Sequence, residues 1–206
     1  MRKMIQDRIS EFYKDKNNCS GKLDHISDSR TDPVLFKTDE LYAAADALSI
    51  QNAEKHRRIL LALSAVGTLL TFAFLLYDEA EIYSLIIACG ILLLCLVFIR
   101  RFAYRLDCHR KYTEYRVLAE AMRVNYYLLF SGCGRSAYDL LPWSVRRGVP
   151  WVEELLSQVR GTSCTEKHPV LDCWVRDQKN YHISALKKSE IKEKRDVRTA
   201  HAAVII

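Results

Sequence analysis

The sequence predicts an all-α protein, a membrane helical hairpin whose two long helices extend into a cytoplasmic helical bundle. Three observations predict it. Residues 59–77 (ILLALSAVGTLLTFAFLLY) and 82–99 (IYSLIIACGILLLCLVFI) carry no charge, and Asp78, Glu79 and Glu81 are the only charged residues between Ile59 and Ile99. Each stretch approaches the length that crosses about 30 Å of hydrocarbon as a helix, the form in which every backbone polar group is satisfied internally. Basic residues flank the pair, with Lys55, Arg57 and Arg58 before the first stretch and Arg100, Arg101 and Arg105 after the second, while the connection carries only acids. The positive-inside bias therefore places both long arms in the cytoplasm. Thirdly, helical periodicity continues outside both stretches. The rival reading, two buried core helices of a soluble protein, would need more apolar sequence elsewhere to enclose them.

Taken in order, residues 1–13 (MRKMIQDRISEFY) place Met4, Ile5, Ile9 and Phe12 at helical spacing and predict a short amphipathic helix. Residues 14–33 are polar, contain Asn17, Asn18, Gly21 and Asp32-Pro33, and predict a loop. These form a first unit, residues 1–38. Asp39 then serves as the expected N-cap of a helix that runs through Leu41, Ala44, Ala45 and Leu48 into the first span. The first span starts too far from Met1 for a cleaved secretory signal. The second span is expected to continue unbroken, because residues 101–131 lack Pro and Gly and repeat Tyr104, Cys108, Tyr112, Tyr115, Leu118, Met122, Tyr126 and Leu129 every three or four positions. Gly132 and Gly134 supply its stop. Residues 39–131 thus form the two-transmembrane unit with its cytoplasmic extensions.

The unit 132–199 is expected to be a cytoplasmic helical region. Residues 137–150 hold Pro142-Trp143 and Gly148-Val149-Pro150 and predict an ordered turn that packs its aromatics. Residues 151–160 predict a short helix closed by Gly161, and a charged helix begins near Pro169 with Trp174, Gln178, Tyr181 and Ala185 on one face. Residues 200–206 (AHAAVII) follow a basic stretch. They are either the start of a further membrane helix or an apolar tail docked on the domain.

Half the residues are apolar (50%), yet 27% are charged, and the two classes are segregated along the chain as in a membrane anchor with soluble extensions. The net charge of +6 concentrates beside the spans, where it attracts an anionic leaflet. No RNA- or DNA-binding signature interrupts the basic stretches, so nucleic acid is not an expected partner. Seven scattered cysteines, two within the second span and the rest on the cytoplasmic side, are expected to be reduced thiols.

No GxSxG elbow, P-loop, GxGxxG, HExxH or paired CxxC motif occurs, and no enzyme activity or cofactor is expected. Cys164, His168 and Cys173, with Cys108-His109 at a distance, lack the tight pairs of a structural zinc site, and no metal is expected. Glu120, between Arg116 and Arg123, reads as part of a salt-bridge network that fixes helix register. Within the spans, Ser64, Gly67, Thr68, Thr71 and Gly90 are small residues suited to helix packing or, as a polar stripe, to a pore.

Four strings, LYAAADALSIQNAEKHRRILLAL, FLLYDEAE, YRVLAEAMRVNYYLLFSG and WVRDQKNYH, together resemble the two-transmembrane effector domains associated with bacterial SMODS and SLOG modules, the SLATT type. The similarity runs over residues 41–181. The resemblance implies a bacterial inner-membrane effector of a nucleotide-signalled defence system, which assembles as a homo-oligomer in the lipid bilayer and forms or gates a pore on activation. It implies that Tyr115, Arg116, Glu120 and Arg123 belong to the cytoplasmic assembly region, with Trp174, Asp177, Gln178 and Tyr181 on its packing partner. This chain departs from the full arrangement, since it holds no nucleotide-sensing or nucleotide-synthesising module; that partner is expected on further sequence or on another chain. The alternative is a non-conducting membrane anchor or scaffold for a cytoplasmic sensor.

Overall fold

A computed structural model describes residues 2–19, 23, 25–26, 32–80, 83–132, 135–159 and 171–205, with backbone alone for 80, 171–173, 177 and 199–205. The expected all-α class holds, and no strand occurs among the described residues. Helix α1 spans Arg2–Asn17, α2 Pro33–Ala80, α3 Tyr83–Leu106 and α4 Cys108–Phe130. Three short helices follow, α5 Ala137–Leu140, α6 Trp143–Gly148 and α7 Pro150–Ser157; a π-helical turn Leu171–Arg176 then leads into α8, Asp177–Ile205.

Helix α1 buries Phe12 completely and Ile9 almost so, the face its sequence spacing selects, while Met4 stays exposed. The start of α2 corrects the expected N-cap. Asp32, not Asp39, opens the helix: its Oδ1 accepts from the Val34 N–H at 2.8 Å, and Pro33 follows at the first position, where a missing N–H costs nothing. Asp39 instead lies buried about two turns further on. It accepts from the Ile26 N–H at 2.6 Å and pairs with His25 Nδ1 at 2.8 Å, tying the preceding segment to α2. With 48 residues, α2 is about 72 Å long.

The second long helix is not unbroken, as periodicity had suggested. Asp107 adopts the left-handed conformation (φ 49°, ψ 34°) and separates α3 from α4. Asp is one of the few non-glycine residues that tolerate this region, because its short side chain bonds locally; the Asp107 carboxylate accepts from Arg110 Nε. Backbone bonds persist on both sides of the break, from Asp107 N–H to Ala103 O at 3.2 Å and from Lys111 N–H to Asp107 O at 3.1 Å. The break is a kink rather than an end. Gly132, at φ 69°, ends α4 as its sequence position suggested.

Helices α2 and α4 pack antiparallel, with Asp46 opposite Arg116 and His56 opposite His109. Ala43, Ala44, Ala45 and Ala47 give α2 a nearly flat buried surface there, which permits close approach. Leu118 and Met122 of α4, Phe12 of α1 and Val152, Leu155 and Leu156 of α7 complete one core. The expected turn over residues 137–150 is in fact two short helices, α5 and α6, and Trp143 is not packed: it is 66% exposed, with the Arg147 guanidinium 5.2 Å above its ring. A second cluster joins Leu35, Tyr126, Tyr127 and Leu129, on which Trp174 stacks with ring centroids 5.1 Å apart. The backbone of residues 200–205 continues α8.

The apolar parts of α2 and α3 are unlike this core. Both are long and apolar enough to cross a membrane, and none of the residues in their most apolar windows is buried. Ile59, Leu63, Val66, Leu70, Ala73 and Tyr77 on α2 are half-buried, as are Leu85, Ala88, Leu92, Leu96, Ile99 and Ala103 on α3. These two stripes, at three- and four-residue spacing, are the faces on which α2 and α3 meet. Gly67 and Cys89 are half-buried as well, and the remaining described residues of the two apolar segments are exposed.

Candidate functional site

The candidate site is the junction where the exposed apolar segments enter the packed helices. It is built around the Asp107 kink and the first two turns of α4. Arg110, one turn beyond the kink, donates from Nε to Asp107, from Nη1 to Glu114 at 3.1 Å and from Nη2 to Glu11 of α1 at 3.1 Å. Burial works against its charge, but the Asp107 hydrogen bond and the Glu114 and Glu11 carboxylates outweigh this and push its pKa up. Glu114 accepts a second bond from Trp151 Nε1 at 3.1 Å. One guanidinium thus connects the kink, α1 and α7.

Lys111, beside it, donates to Asp15 at 2.7 Å and pairs with Glu11 at 3.1 Å. Its pKa is raised because these two acids overcome the burial that opposes its charge. Burial raises the Glu11 carboxyl, yet hydrogen bonds from Lys111 and Arg8 hold it below its ordinary value. Tyr115 donates its hydroxyl to Asp15 at 2.7 Å, and its pKa is raised first by burial and then by that bond. Its ring meets Phe12 and Trp151 at 5.6 and 6.3 Å in edge-to-face contacts. Asp15, Lys111, Gln51, Asn52, Lys55 and Cys108 line a polar cavity of about 150 Å³ beneath the apolar segments. Burial pushes the Cys108 thiol up and leaves it a weak nucleophile.

A second network lies further along α4. Arg116 donates to Asp46 of α2 at 2.6 Å and pairs with Glu120 at 2.7 Å; Glu120 in turn accepts from Arg123. Arg123 Nε is buried with no hydrogen-bond partner among the described residues. Tyr42 of α2 faces this group, and burial followed by the Asp46 charge raises its pKa. The salt bridges expected around Glu120 are present, and they reach α2 through Asp46.

Tyr115, Arg116, Glu120 and Arg123 therefore share the α1–α2–α4 body. Trp174 reaches that body at Tyr127, but Gln178 is only half-buried and Tyr181 is 59% exposed, edge-on to His182. The side chain of Asp177 lies outside the described residues, as do Cys164, His168, Glu81, Gly134 and Gly161. Among the described residues, no three His, Cys, Asp or Glu side chains converge as metal ligands would. Ser64, Thr68, Thr71 and Gly90 lie on outward faces rather than in the α2–α3 contact, and only Gly67 is half-buried. A Cβ at Gly67 or Gly90 would meet nothing within 4 Å, so neither glycine serves a close helix approach within one chain. Thr68 and Thr71 donate their hydroxyls to the Ser64 and Gly67 carbonyls at 2.9 and 3.1 Å.

Sequence reasoning missed Glu11, Asp15, Asp46, Asp107 and Arg110. The signal for Arg110 was weak but readable, since Arg110 and Glu114 stand four apart on one helix face. No family model, curated protein or solved structure matches the chain, so the resemblance to SLATT-type domains stands on its quoted residues alone.

Proposed function

We propose that the chain is a non-enzymatic, oligomeric effector of the bacterial inner membrane, whose apolar helices form a hairpin across the bilayer with both long arms cytoplasmic. The helical body turns a signal from a nucleotide-sensing or nucleotide-synthesising partner into a pore formed or gated by these hairpins. One observation carries the reading: away from the stripes on which they meet, the apolar segments of α2 and α3 have no protein cover among the described residues. Phe72 is 60% and Phe98 72% exposed, and each such ring leaves on the order of 100 Å² uncovered. A handful of these residues passes the few hundred Å² that a soluble monomer exposes in one patch. Lipid is the solvent that covers such a surface at no cost.

The junction supports a coupling role. A displacement of α1 breaks Glu11 and Asp15 away from Arg110 and Lys111, and Arg110 also holds the kink from which α3 departs. Co-expression with its activating partner while membrane potential is followed tests the reading. Depolarisation is expected; unchanged polarisation at verified expression contradicts it. The second reading, a non-conducting scaffold, is favoured by the Thr68 and Thr71 hydroxyls, which bond their own helix and offer no wet stripe within one chain. Dye release from vesicles holding the purified oligomer separates the two.

A further inference from the structure

We propose that the end of α3 nearest the kink carries a binding groove for the phosphate of an anionic phospholipid, gripped between Arg100 and Arg101. The inference rests on the reading that α3 crosses a membrane. Val97, Arg100, Arg101, Ala103 and Tyr104 line an open groove of about 500 Å³. Val97 and Tyr104, 64% and 82% exposed, stand seven residues apart and so on one line of the helix, with Arg100 and Arg101 on either side of it. Both arginines are exposed, and neither guanidinium has a hydrogen-bond or ion-pair partner among the described residues.

Arg57 and Arg105 of the junction are likewise unpaired among the described residues but do not line the groove, and its remaining arginines are held. Arg58 is paired with Glu54 at 2.5 Å, and Arg110 and Arg116 are each held by acids. Two unsatisfied planar forks side by side match the oxygens of a phosphodiester, which accepts bidentate bonds. Tyr104 supplies the amphipathic ring found at headgroup depth. The same line continues upward through Gly90, seven residues above Val97, where the missing side chain leaves open space. Leu93 and Leu94, both more than half exposed, rim that notch on its two sides. Charged forks at the base, an apolar floor and a shallow track above form the outline of one lipid, headgroup to acyl chain. A free phosphate has no use for the apolar part.

The test uses the full chain in phosphatidylcholine vesicles carrying traces of spin-labelled phosphatidylglycerol or phosphatidylcholine, with flotation run in parallel. The wild type is expected to immobilise phosphatidylglycerol in preference to phosphatidylcholine. In the double variant Arg100→Gln/Arg101→Gln that preference falls by about fivefold or more, the equivalent of about 1 kcal/mol. Arg57→Gln/Arg58→Gln removes the same charge outside the groove and keeps it. An unchanged preference in the first variant, or equal loss in both, overturns the groove. A chain that floats with the vesicles yet shows no phosphatidylglycerol preference leaves the membrane reading standing and removes this proposal, whereas a chain that does not float removes both.

Discussion

Tyr115 sits where three helices meet, and its hydroxyl bond to Asp15 is the shortest link between α1 and α4 that does not depend on a cation. Tyr115→Phe is expected to lower unfolding stability by about 1 kcal/mol, the net worth of one hydrogen bond. Tyr115→Ala, which also empties the space between Phe12 and Trp151, costs about 3–5 kcal/mol; chemical denaturation in mild detergent measures both. Glu11 gives a pH dependence whose sign follows from its lowered pKa. Its stabilising contribution is complete above its ordinary value of 4.5 and is lost as pH falls through the lower folded value. Thermal melts on the acid side of 4.5 should therefore show falling stability, and Glu11→Gln should flatten that limb. The spacing along α4 made Tyr115, Arg116 and Glu120 legible as one stripe. Their partners Asp15 and Asp46 were not legible, because they lie 100 and 70 residues away and only the tertiary fold brings them together.

Elements were legible in kind and less so at their ends. Four apolar positions at helical spacing announced α1, and Leu41, Ala44, Ala45 and Leu48 announced the helix that leads into the first apolar segment. Asp32-Pro33 read as the end of a loop, yet Asp32 caps α2 in place of Asp39, because Pro33 suits the first turn of a helix. The Asp107 kink left no periodic trace, since the apolar repeat passes through it and the helical hydrogen bonds persist around it. Its conformation is testable. Asp107→Gly should be near neutral, because the backbone relief offsets the lost Arg110 contact. Asp107→Val should lower stability by about 1–2 kcal/mol or more, as a β-branched side chain is strained at positive φ; thermal unfolding followed by circular dichroism distinguishes them. The outward placement of Ser64, Thr68, Thr71 and Gly90 was also hidden. A list of small residues does not say which way they face, and the half-buried stripes show that α2 and α3 meet through Leu, Val, Ile and Ala.

At the scale of the molecule, one half buries its apolar residues among α1, α2, α4 and α7, and the other displays them. That division follows directly from the charge pattern of the sequence, in which uncharged tracts alternate with densely charged ones. Placing Lys at Leu69, an exposed position well inside the first apolar segment, should raise the apparent free energy of membrane insertion by about 2.5–3.5 kcal/mol; a translocon insertion assay reads it. The account's central claim is that α2 and α3 cross a bilayer and return. The most direct measurement places single cysteines at Lys14, Asp78 and Lys192 in a chain whose own cysteines are replaced, and labels intact cells with a membrane-impermeant maleimide. The account predicts labelling at position 78 alone, with positions 14 and 192 labelled only after the membrane is permeabilised. Protection at 78, or labelling of one terminal arm and not the other from outside, contradicts it.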